Sequence, residues 1–191
     1  MPKVLVLTGP SGVGKDAVVD ALLSMDYPVV RPPTMTTRQA RRGEVEGVHH
    51  FFVTDADFNR AIENSDLLEY ASVYGNYYGV PKQAVTEALG TGHHVVLRVD
   101  VQGAESLLIS LPDAIFACLE PDSLDSLRQR LAGRGTESAE AVESRAAFAE
   151  DEMARARKFC RVFVNRDGEL ETLAHEIMSV SYTHLTLPTK A

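Results

Sequence analysis

The chain has 191 residues, 45% of them hydrophobic and 24% charged, with a formal net charge of −8 at pH 7. That length suits one domain with insertions better than two domains, and the composition is that of an ordinary globular protein. The acidic balance excludes a broad nucleic-acid-binding face, so any basic residues that serve anions must be gathered locally. The first apolar run is too short for a signal peptide or a membrane span, and Cys118 and Cys160 lie in apolar runs and read as buried, reduced thiols. A cytoplasmic location follows as the expectation.

The run 4–7 reads as a strand and leads into Gly9-Pro10-Ser11-Gly12-Val13-Gly14-Lys15, after which the residues are helical. Strand, glycine loop and helix form the context of a phosphate-binding loop. The glycines let backbone N–H groups converge on phosphate oxygens, the helix N-terminus adds partial positive charge, and Lys15 reaches the outer phosphates. Ser or Thr usually comes next, as a ligand of Mg²⁺; here it is Asp16, whose carboxylate is also a hard oxygen donor, directly or through water.

Apolar segments at 4–7, 29–30, 95–99, 115–119 and 162–164 are the predicted core strands, and helical patterns separate most of them. This is the order of a mostly parallel sheet covered on both faces. From Arg31 to about Lys82 the rhythm breaks at Pro32-Pro33. A turn-rich stretch follows, then short strands at 50–53, 67–73 and 77–79 around a helix beginning near Thr54, which together read as an inserted lobe. Later come a helix opened by Ser123 as N-cap, a break at Gly133-Arg134-Gly135, and a long charged helix over 138–158. Residues 181–191 are expected to break the last helix and to be a non-native tail.

Three features carry chemistry beyond the loop. Arg38 and Arg41, with Arg42 beside them, have guanidinium forks suited to phosphate, and Glu44 and Glu46 stand near enough to orient or neutralise them. Glu69 places a carboxylate within an apolar strand pattern, and one fitting partner is a guanine edge, whose N1–H and N2–H₂ both donate. The run Tyr74-Gly75-Asn76-Tyr77-Tyr78-Gly79-Val80-Pro81-Lys82 offers a phenol to a phosphate and a tight hairpin.

Taken together, GPSGVGKD, TTRQARRGEVEG, FFV, LLEYASVYGNYYGVPK, RVDVQGA and RLAGRGTE resemble guanylate kinases of the bacterial type, in the same order and at similar spacing, to about Met178. The resemblance implies a P-loop α/β three-layer sandwich with a mostly parallel five-stranded sheet at 1–31, 84–124 and 159–180. It also implies an inserted mixed α/β GMP-binding lobe at 32–83 and a helical lid with flanking helices at 125–158. The implied activity is transfer of the γ-phosphoryl of ATP to GMP, with Mg²⁺, by a monomer or homodimer that engages neither nucleic acid nor membrane.

Carried over position by position, residues 9–16 would hold ATP, with Lys15 on the outer phosphates and Asn165 near the adenine. Arg38, Arg41 and Tyr78 would hold the GMP phosphate, Thr34 and Glu69 would contact guanine, and Asp100 would lie near nucleotide and Mg²⁺. Arg130, Arg134 and Arg145 match the arginines that close on the phosphates. Four positions depart from the pattern. His50 replaces a tyrosine and would still bind GMP by donating a hydrogen bond to its phosphate, with a pH dependence, Val80 replaces a hydroxyl, Arg98 replaces an acid, and Asp16 replaces the metal-binding hydroxyl. Two other readings are a ribose 1,5-bisphosphate kinase-like enzyme, whose loop shares Lys-Asp but which lacks this acceptor set, and a non-catalytic guanylate-kinase-like module that binds phosphopeptides, in which the loop is usually degraded.

Overall fold

The computed structural model describes residues 3–73, 75–133 and 139–183. The chain runs β1 (Val4–Thr8), α1 (Lys15–Ser24) and β2 (Val29–Val30) into a second group of β3 (Thr34–Thr36), β4 (His50–Phe52), α2 (Asp55–Glu63), β5 (Leu67–Val73) and β6 (Asn76–Pro81). It returns through α3 (Lys82–Gly90), β7 (His94–Arg98), α4 (Val101–Ser110) and β8 (Ile115–Pro121). A helical pair, α5 (Leu124–Ala132) and α6 (Ala139–Ala156), precedes β9 (Arg161–Asn165) and α7 (Leu170–Thr183).

The expected core strands form one sheet in the order β2-β7-β1-β8-β9, and every pairing in it is parallel. Successive strand residues face opposite sides. Val4 and Val6 therefore join Val85, Val95, Leu97, Ala104 and Leu107 under α3 and α4, while Leu5 and Leu7 join Val18, Leu22, Phe163 and Ile177 under α1 and α7. Unbroken apolar runs are what a sheet buried on both faces requires. Cys118 is buried, Cys160 is half-buried, and both are free thiols that burial pushes up to about 12.

Residues 34–81 build a second sheet in the order β4-β3-β6-β5. β5 and β6 are an antiparallel hairpin turning at Gly75, where φ is +77°. The sequence reading treats 34–37 as turn, and the structure corrects it. Thr34, Met35 and Thr36 pair in parallel with His50, Phe51 and Phe52, while Met35 and Thr36 pair antiparallel with Gly79 and Tyr78. Three residues after two prolines display no periodicity, so the strand exists only because partners lie on both sides. Gly79 has a packing reason: a Cβ there would stand 2.9 Å from Leu67 Cδ1 and 3.1 Å from Phe58 Cζ.

Three helices begin on the side chains their sequences offer. Thr54 accepts from Asp57 N at 3.1 Å, Asp100 from Gly103 N at 2.7 Å and Ser123 from Ser126 N at 3.1 Å. α7 runs to Thr183, so the break expected at residue 181 does not occur there. Ser, Tyr and Thr extend an established helix at small cost, and the first strong breaker, Pro188, lies outside the described residues with the rest of 184–191. No helix among the described residues is long and apolar enough to cross a membrane.

Candidate active site

The glycine loop has the backbone the motif calls for. Gly9, Gly12 and Gly14 have φ of +136°, +85° and +99°, which only glycine adopts freely. Close neighbours add a second constraint: Cβ atoms on Gly9 and Gly14 would lie 2.3 Å from Leu119 O and 2.5 Å from Asn165 Nδ2. Gly14 is the N-cap of α1 and no side chain caps that helix, so its first-turn amides are available to an anion. Lys15 curls over the loop, its Nζ donating to Gly9 O at 2.5 Å and Pro10 O at 3.0 Å. Burial, and then the charge of Arg98, lower its pKa to about 8, which leaves it mostly cationic at pH 7.

Two residues expected at the nucleotide brace this loop. Asn165 Nδ2 donates to Val13 O at 2.7 Å, and Arg130 donates to the same carbonyl at 3.3 Å and to Asn165 O at 2.9 Å. Arg130 also pairs with Asp167 at 2.7 Å. Leu127 and Leu131 of α5 pack with Val142 and Ala149 of α6, and a Cβ on Gly12 would meet Leu131 Cδ2 at 2.7 Å, so α5 rests on the loop. Arg145 is half-buried on α6. Arg134 lies outside the described residues, as does Tyr74.

A second polar group forms on β3, β4 and β6. Arg38 donates from Nε to Tyr78 Oη at 3.1 Å and through both terminal nitrogens to Glu44 at 2.8 Å. Glu44 also accepts from Arg41 N at 2.7 Å, and the Arg38 guanidinium beside it holds its carboxyl at about 2. The Arg41 side chain is exposed at the rim. Thr34 Oγ1 lies 2.7 Å from His50 Nδ1, so its hydroxyl is engaged with the imidazole. Burial, with Arg98 and Arg38 nearby, lowers His50 to about 4. The pH dependence expected of His50 is thereby moved far below neutrality, and the ring is neutral at pH 7.

Glu69 lies on β5, the edge strand of the second sheet, against the start of α4. It is paired in register with Val80, is 7% exposed, and its Oε2 has no hydrogen-bond partner. Burial, and then the Asp100 carboxylate, raise its pKa to about 8. The side chain packs against the start of α4, where a Cβ on Gly103 would stand 2.7 Å from Oε2. The glycine of the RVDVQGA segment thus makes room for the acid. Val80, at 1% exposed, belongs to the apolar cluster beneath α3 and α4 and presents no polar atom beside Glu69.

The sequence reading also missed further pairings of charged side chains. Arg98 Nε lies 3.0 Å from Asp16 Oδ1, Arg157 forks onto Glu120 at 2.7 and 2.6 Å, and Arg155 of α6 binds Glu105 of α4 at 3.0 Å. Only the first had a signal, since residues 16 and 98 both depart from the family pattern. A small crevice lined by Arg31, Thr34, His50 and Arg98 among others lies where β7 of the core sheet faces β3 and β4 of the second. The roomier cavity, about 470 Å³, is at β9 and α7 and shares no lining residue with the crevice.

Comparison with known proteins places this arrangement. Residues 1–180 match the family model described as guanylate kinase. A guanylate kinase of Streptomyces coelicolor is 43% identical over 181 residues, covering 94% of this chain and 90% of that protein. Guanylate kinase 2, chloroplastic/mitochondrial, of Oryza sativa is 42% identical over 180 residues, and the match spans 63% of its length. The crystal structure of guanylate kinase from Anaplasma phagocytophilum superposes with a TM-score of 0.78 at 28% identity, covering 97% of this chain and 87% of that one. The chain belongs to the guanylate kinase family.

Proposed function

We propose that the chain transfers the γ-phosphoryl of ATP to GMP, giving ADP and GDP. The observation that carries the choice of acceptor is the buried Glu69 carboxyl, whose Oε2 has no hydrogen-bond partner. A buried acid of this kind needs donors, and the guanine edge supplies two, N1–H and N2–H₂, whereas adenine presents an acceptor at N1 and is repelled. Residues 32–83 then act as the GMP lobe and 125–158 as the lid.

GMP brings its own nucleophile, because a phosphomonoester has a second pKa of about 6 and is largely dianionic at pH 7. The chain therefore needs to neutralise charge and align two anions. Lys15 and the amides at the start of α1 take the ATP phosphates, while Arg38, Arg41 and Tyr78 take that of GMP. For Arg38 to do so, phosphate oxygens replace Glu44 on part of its fork. Arg130, Arg134 and Arg145 complete the cationic surround, and closure over the site excludes water that would otherwise hydrolyse ATP. Asp16 and Asp100 are hard oxygen donors suited to Mg²⁺ arriving with ATP, and the ion would supply further neutralisation of phosphate charge. The same reading makes the chain a cytoplasmic enzyme, monomer or homodimer, acting on small molecules.

The test is ATP-dependent ADP release with GMP, UMP and ribose 1,5-bisphosphate as separate acceptors. Turnover with GMP and near-background rates with the others is expected. Turnover with the sugar phosphate alone, or with no acceptor while nucleotide still binds, would overturn the reading.

A further inference from the structure

Two of the departures from the family pattern touch each other. Arg98 ends β7 where an acid is expected, Asp16 follows Lys15 where a hydroxyl is expected, and their side chains meet at 3.0 Å. Each replacement alone is awkward. An acid in the first turn after the loop places negative charge beside the site of a polyphosphate, and an arginine between two phosphate sites lacks the acid it replaces. Together they are neutral.

Arg98 is well placed for this role. It stands opposite Leu7 in the parallel register of β1 and β7, just below the glycine loop, and it lines the crevice that holds Thr34 and His50. Its charge is the largest nearby charge acting on Lys15 and also the largest acting on His50. Asp16 is more exposed, at 63% against 29% for the Arg98 side chain, so the carboxylate reaches toward solvent and is met by an arginine anchored on the sheet. Lys15 also faces Glu152 and Asp100, so the net charge around the loop depends closely on whether Asp16 is compensated.

We propose that Asp16 and Arg98 act as one unit, with Arg98 a positioning residue that fixes the Asp16 carboxylate through Oδ1 and offsets its charge so that the loop accepts a nucleotide polyphosphate. The unit rests on the reading of the loop as the ATP-phosphate site. An ordinary exposed ion pair would contribute little and would leave nucleotide affinity alone.

The experiment is ADP binding by titration calorimetry, with and without Mg²⁺, to the parent chain, Arg98→Gln, Arg98→Lys, Asp16→Ser and Asp16→Ser/Arg98→Gln. Arg98→Gln should weaken ADP binding about tenfold, the double variant should recover most of that loss, and Arg98→Lys should fall between, as coupled neighbours do. Thermal midpoints read alongside should move little. Equal ADP affinity in the parent and Arg98→Gln, or a double variant no better than Arg98→Gln, would overturn the proposal. A parent that binds ADP but does not phosphorylate GMP would sink the acceptor reading and leave this pair standing.

Discussion

A buried carboxyl with an oxygen left without a partner is a cost that the folded chain carries until a ligand supplies donors, and Glu69, through Oε2, is that residue here. Its pKa of about 8 lies above the ordinary 4.5, so the folded state holds this proton more tightly than the unfolded one. The associated stability is fully present below about 4.5 and is lost as pH rises through about 8. Glu69→Gln removes that loss, so its thermal midpoint should exceed the parent's by a margin that widens from pH 5 to pH 9; a margin flat with pH would contradict the assignment. GMP binding should favour the ionised acid and release protons near pH 7, seen as a binding heat that changes with the ionisation enthalpy of the buffer. Arg41 is the other informative side chain, because it is exposed and its loss strains nothing. Arg41→Ala should lower kcat/KM for GMP by about 10²-fold or more with an unchanged thermal midpoint, as removal of a charged phosphate contact does. Equal activity would remove it from the acceptor site.

Glycines decide much at the level of the elements. Gly79→Ala must push on Leu67 and Phe58, the small core of the second sheet, and should cost about 1–3 kcal/mol in urea unfolding, as overpacking does. A cost near zero would mean that β5 and β6 can separate freely. How far the elements were legible follows from their length and burial. The core strands show as apolar runs because both faces are covered, and Thr54 and Ser123 announced their helices because a cap is a local interaction. β3 stayed hidden because a three-residue strand is stabilised by its neighbours rather than by its own pattern. The end of α7 was misjudged for a related reason: no residue among 181–183 breaks a helix strongly enough to stop one already formed.

Across the whole molecule, the two sheets bring together groups far apart in sequence: Lys15 and Asp16 after β1, Arg38 and Tyr78 on the second sheet, Glu69 on β5, and Arg98 and Asp100 at the end of β7. The residues of the proposed site are named one at a time by the family motifs, while most of their pairings are not. That Glu44 forks onto Arg38 bears out the reading from their six-residue spacing, whereas that Arg98 answers Asp16 is a fact of geometry, which no linear spacing encodes. Ligands that draw these parts together should stabilise the fold by mass action. GMP with ADP, each near 100 times its Kd, should add about 2.7 kcal/mol per independently bound ligand, and more if each ligand favours the other. A thermal midpoint that responds to ADP but not to GMP would place the acceptor elsewhere. The most direct test of the account is kcat/KM for GMP against AMP in the parent chain and in Glu69→Gln. The parent should prefer GMP by about 10⁴-fold or more, as sites that hydrogen-bond a polar edge do, and Glu69→Gln should lose most of that preference through GMP. A parent that uses both nucleotides comparably, or a Glu69→Gln variant that keeps the full preference, would contradict it.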